Sequence, residues 1–112
     1  MERITLHVPE TLNDGVPVAL GDLQAYETEL LEIAGGFTVT PAIGAWRSPS
    51  GELHREPLRL YSLDVLDARV VRAQVLELAQ RITAELEQEA VYVTVTRVEA
   101  VEATGVPEQV PA

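Results

Sequence analysis

The chain has 112 residues, 46% hydrophobic and 23% charged, which sets a size and balance suited to one globular domain with a single core. It has no cysteine, and every strongly basic side chain is an arginine; that excludes a disulfide framework, a thiolate nucleophile, a Cys-based zinc site and lysine Schiff-base or phosphate-loop chemistry. Eight arginines against eighteen acids give a formal charge of −10, which argues against direct nucleic-acid binding because phosphate contact needs a basic footprint.

Ile4, Leu6 and Val8 alternate with Arg3, Thr5 and His7, the period-2 pattern of a half-buried strand, closed by Pro9. Asn13-Asp14-Gly15 reads as a turn, and Val16 to Leu20 fits either a short extended piece or the approach to a helix. Asp22 is the expected N-cap of a first helix over Leu23 to Ala34, with Leu23, Tyr26, Leu30 and Ile33 on one face and Gly35-Gly36 ending it. Phe37 to Trp46 is a second strand, and Pro41 within it requires an edge or a bulge. Arg47 to Gly51 turns the chain into a third strand over Glu52 to Val65.

Asp67 is placed to cap a second helix over Ala68 to Gln88, whose stripe Val71, Val75, Leu78, Ile82, Leu86 advances by three and four residues. Val91 to Val98 forms the last strand. The order β-α-β-β-α-β predicts an α+β ferredoxin-like sandwich: one four-stranded antiparallel sheet, two helices on one face, first and third strands central. One domain over 1–102 and a disordered tail over 103–112 complete the expected organisation.

Two helices leave the other sheet face uncovered. Parity assigns Ile4, Leu6, Val8, Leu58, Leu60, Val91, Val93 and Val95 to the helix side. Thr5, His7, Tyr61, Leu63, Tyr92, Thr94 and Thr96 then form the open face, an apolar patch of the kind that marks association. The hairpin adds Trp46, Arg47, Arg55, Glu56 and Arg59, in which arginine either stacks on indole or grips a carboxylate or phosphate. A purely internal arrangement competes with recognition: Trp46 over a cross-strand neighbour, and Arg55 or Arg59 paired with Glu56 or Asp64. His7, His54 and Glu56 show no metal-ligand spacing, so neither metal nor cofactor is expected.

Asn13-Asp14-Gly15, Gly35-Gly36-Phe37-Thr38-Val39, Gly44-Ala45-Trp46 and Gln88-Glu89-Ala90-Val91-Tyr92-Val93 together resemble a group of short bacterial and phage-type proteins of no assigned activity. These share an N-D-G turn, a G-G-[FL]-T-V strand start, a G-x-W ending and a Q-E-x-[IV]-[YW] final strand. In element order the chain is also similar to PII-type and CutA-type proteins, which implies the same architecture.

Three functions compete. The leading expectation is a non-enzymatic, homo-oligomeric binding or regulatory protein that associates through the open sheet face and the 46–59 hairpin, with a small ligand or protein partner. The second is a small cofactorless enzyme, with His7, Tyr61 and Tyr92 lining a pocket and His7 as general base. The third is an acidic nucleic-acid mimic that inhibits a partner, motivated by the acids of both helices. No apolar run approaches the about 18 residues of a membrane span, and Met1-Glu2-Arg3-Ile4 opens a strand rather than a signal peptide, so a cytoplasmic protein is expected.

Overall fold

The computed structural model describes residues 1–99; the expected domain end at 102 and the expected disordered tail both lie outside them. The elements are β1 (Glu2–Pro9), α1 (Leu20–Ala34), β2 (Thr38–Arg47), β3 (Leu53–Val65), α2 (Ala68–Glu85) and β4 (Val93–Arg97). They build one four-stranded sheet in the order β2-β3-β1-β4, with every adjacent pair antiparallel. This is the ferredoxin-like α+β arrangement, and β2 sits at an edge, where the N–H missing from Pro41 costs no ladder bond.

Both helices end and begin for identifiable reasons. Gly35, at φ +77°, donates its N–H to the Leu31 carbonyl and closes α1 in the left-handed conformation. Asp67 accepts from the Arg69 N–H at 3.0 Å and caps α2. Asp22 is not the cap of α1: the helix starts at Leu20 behind Ala19, and Asp22 lies in the first turn instead. There its carboxylate opposes the positive end of the helix dipole, which gives the same residue type a second reason to be near a helix start. The uncertain stretch resolves into a reverse turn. Thr11 bridges Pro17, and Val18 inserts into the core just before α1 begins.

The core forms where the β1 stripe meets α2. Ile4, Leu6 and Val8 pack beneath Val75, Leu78 and Ile82, all essentially inaccessible, with Leu30 contributed by α1. Each such side chain contributes about 1.5–3 kcal/mol of burial free energy. Tyr26 donates to Glu85 at 2.6 Å, and Arg81 pairs with Glu29, so the two helices are also clasped at their polar margin.

The register corrects the expected faces of β3. Leu63 pairs with Ile4 and Tyr61 with Leu6, so both lie on the helix side, fully buried, and not on the open face. Leu60 and Leu58, expected among the helix-facing set, stand opposite His7 and Pro9 on the uncovered face. The cause is physical: β3 carries apolar side chains at both parities, and only pairing with β1 decides between them. Tyr61 tolerates burial because its hydroxyl donates to Glu27 of α1 at 2.7 Å.

β1 pairs with β3 only as far as Pro9 opposite Leu58. Beyond that point β2 and β3 continue as a two-stranded arm to Arg47 opposite Leu53. The molecule is elongated, 50 × 28 × 24 Å.

Candidate functional site

A cavity of about 610 Å³ opens between the arm and the far end of α2. Gly44, Trp46, Glu56 and Leu58 supply the arm side. His7 and Pro9 of β1 contribute the sheet, and Asn13, the segment Glu87 to Ala90 and Tyr92 close the opposite wall. The alternating register explains the first group. Gly44 pairs with Glu56 and Trp46 with His54, so these side chains share the open face with His7 and Leu58.

The opposite wall is built by a strained helix ending. After α2, Glu87 takes φ +52°, a left-handed conformation that glycine adopts far more readily. Gln88 N–H closes the end onto the Thr83 carbonyl at 2.9 Å. Asn13 then holds the turn from outside: its amide donates to the Glu87 carbonyl at 2.8 Å, and its oxygen accepts from the Gln88 side chain at 3.2 Å. The Asn13-Asp14-Gly15 turn and the Gln88-Glu89 segment, far apart in sequence, therefore form one structure. Gly15 at φ +84° and the Val16 N–H to Asp14 Oδ1 bond account for the turn.

Chemically, the lining carries three carboxylate side chains, Glu56, Glu87 and Glu89, and no lysine or arginine. Trp46 is held by His54, ring centroids 4.4 Å apart and nearly parallel. His7 meets Tyr92 edge-on at 6.3 Å. Partial burial lowers the pKa of His7 below its ordinary value near 6.5, so the imidazole is neutral at neutral pH. The result is a formally negative, partly aromatic cleft with one neutral nitrogen base.

Of the residues singled out by sequence, His7, Trp46, Glu56 and Tyr92 come together here. Tyr61 and Leu63 lie across the sheet from it. Arg59 also faces the helices, bonded to Glu10 at 3.1 Å and Glu27 at 3.3 Å rather than to Glu56 or Asp64, whose partner is Arg3. Arg55 pairs with Ala45 in the ladder and Arg47 donates to the Gly51 carbonyl, both on the arm. Thr94 is on the open face opposite Thr5, outside the cavity lining. Sequence reasoning takes Asn13 as a turn residue and Glu87 and Glu89 as acids at the end of the second helix, and it passes over Gly44 and Gln88; all but Glu87 lie in the motif segments, which were the available signal.

No family model and no curated protein matches the sequence. Solved structures do match. A phage SAM lyase in complex with S-methyl-5'-thioadenosine superposes with a TM-score of 0.65 at 17% identity, over 85% of this chain and 79% of that one. The phage SAM lyase in its apo state gives 0.65 at 15%, over 85% and 78%. The periplasmic divalent cation tolerance protein CutA from Archaeoglobus fulgidus gives 0.52 at 14%, over 96% and 90%. At these identities the likeness is one of fold, and it agrees with the CutA-type architecture.

The lyase structures correct the leading functional expectation. A non-enzymatic binder was inferred because no catalytic motif is visible in the sequence, yet an enzyme is built on this same frame. As for compartment, no helix among the described residues is long and apolar enough to cross a membrane.

Proposed function

We propose that this chain is a lyase acting on a sulfonium nucleoside of the S-adenosylmethionine type, with the cavity beside His7 as its active site. The observation that carries the reading is the lining itself: three glutamates and two aromatic rings, with no cationic side chain. A sulfonium nucleoside carries a cation joined through a ribose to a flat heterocycle, and such a cleft attracts both parts. The shared fold with a SAM lyase gives the reading its reaction class.

The chemistry asks little of the protein. When the C–S bond breaks, its electron pair goes to sulfur and the nucleoside leaves as a neutral thioether, S-methyl-5'-thioadenosine, so no general acid is needed. The carbon fragment must gain a pair in exchange. Either the substrate's own carboxylate closes onto that carbon, or a C–H bond supplies the pair while a base takes the proton. His7, neutral through burial, is the base available for the second route. The carboxylates hold the cation, and release follows because the thioether product has lost the positive charge.

The test is direct. Purified protein incubated with S-adenosylmethionine should release S-methyl-5'-thioadenosine, followed by chromatography, at a rate proportional to enzyme. Unchanged S-adenosylmethionine after prolonged incubation, in a preparation shown to be folded, overturns the reading.

The same arm supports an assembly. Ile43 is 73% exposed and Leu53 51% exposed, both on the arm. Residues 43–57 hold two arginines and two glutamates, so the arm is formally neutral on a chain of charge −10. Contact between copies through the arm buries these side chains and keeps the acidic bodies apart.

A further inference from the structure

Gly44 is a glycine that no turn requires. Its φ is not left-handed, it sits within β2, and it faces Glu56 across the ladder. What a side chain there meets is Leu58: an added Cβ stands 3.0 Å from Leu58 Cδ1 and 3.8 Å from Glu56 Cγ. With no side chain there, Leu58 folds against Gly44; any side chain at 44 displaces Leu58 into the space beside Trp46, so the bare glycine keeps that slot of the cavity clear. Trp46, two residues along and fixed by its stack on His54, forms an aromatic wall to that slot. Glu56 gives it a rim that accepts hydrogen bonds.

From this geometry we infer that the slot is the nucleoside half of the cavity: the purine lies against Trp46, the ribose passes over Gly44, and Glu56 accepts from the ribose hydroxyls. An acceptor-only carboxylate suits a diol, which brings donors, and indole gives a flat base its stacking surface. The sulfur end is thereby directed to the other half, where Glu87 and Glu89 concentrate formal negative charge beside His7 and Tyr92. This assignment rests on the sulfonium-nucleoside reading and adds the direction in which the substrate lies. Trp46 and Gly44 are positioning residues for the base and sugar, remote from the bond that breaks.

Trp46 is the only tryptophan, so its fluorescence reports the slot without interference. The probe is neutral S-methyl-5'-thioadenosine, which isolates nucleoside recognition from charge. Wild-type protein should show saturable quenching. Gly44→Val should weaken binding about tenfold or more, since its branched atoms and the Leu58 end they displace enter the slot; a melting curve checks that the variant is folded. Should that variant misfold, Gly44→Ala, whose methyl the end of Leu58 can move to admit, should weaken binding in the same direction by a smaller factor.

The 2'-deoxy analogue should bind wild type about tenfold more weakly than its parent, and the difference should vanish in Glu56→Ala. Glu87→Gln should leave affinity for the neutral probe within about twofold. Wild-type affinity in folded Gly44→Val and Gly44→Ala, an undiminished 2'-deoxy analogue, or no quenching at all overturns the inference. Binding with these effects intact but no turnover of S-adenosylmethionine preserves the nucleoside slot and removes the lyase.

Discussion

His7 is the residue whose protonation decides whether the cavity holds a base. Burial lowers its pKa below about 6.5, so the neutral form dominates at neutral pH and is lost as pH falls through that lowered value. A rate that depends on His7 as base therefore rises from acid to a plateau, with its midpoint below that of an exposed histidine. His7→Asn should cost about 10²-fold in kcat with the acid limb abolished, read from thioadenosine release against pH. An undiminished rate in that variant assigns the step to the substrate's own carboxylate. Tyr61 tests the opposite face of the sheet. Burial and its bond to Glu27 push its pKa up to about 12, so the protonated phenol is the form that the folded state favours. Its stabilisation is complete below about 10 and disappears as pH rises toward 12. Tyr61→Phe should cost about 1–2 kcal/mol in urea unfolding at pH 7, since Glu27 keeps only Arg59. A loss below a few tenths would mean that the hydroxyl bond contributes nothing net.

At the scale of elements, the end of α2 shows a conflict between stability and site. Glu87 occupies a conformation in which glycine avoids a cost of about 1 kcal/mol, so Glu87→Gly should raise the unfolding free energy by up to that amount. The same change removes a carboxylate from the cavity wall and should weaken binding of S-adenosylmethionine more than that of its neutral thioether product. Thermal melts and paired titrations measure the two effects, and a variant that gained stability with unaltered selectivity would take Glu87 out of the site. Asn13→Ala should cost about 1 kcal/mol, because the Glu87 carbonyl and Gln88 amide both lose a partner. These elements also show why the sequence is readable in parts. The α2 stripe from Val71 to Leu86 has one periodicity and one apolar face, and it folds as read. β3 has Leu58 and Leu60 at one parity and Tyr61 and Leu63 at neighbouring positions, so its faces wait on pairing with β1. The cavity is less legible still. Gly44, Glu56, His7 and Gln88 belong to four separate segments that meet only when the sheet closes and the α2 ending is stapled by Asn13.

For the whole molecule, the arm is the feature that the isolated chain least explains. A two-stranded ribbon has little stability of its own in water, and β2 presents an open backbone edge along its length. Ile43 and Leu53 are exposed there. Pairing of arms between copies resolves all three at once, by burying the apolar side chains, covering the edge and adding partners to the ribbon. Ile43→Glu combined with Leu53→Glu places charge on that contact without touching the core, so it should change the stability of the single chain by no more than about 0.5 kcal/mol per site. Sedimentation of the wild-type protein at micromolar concentration should give a multiple of 12.2 kDa, and the double variant should return it to that single mass. A wild-type protein already sedimenting as one 12.2 kDa chain sinks the assembly. An oligomer that persists in the double variant moves the contact away from the arm.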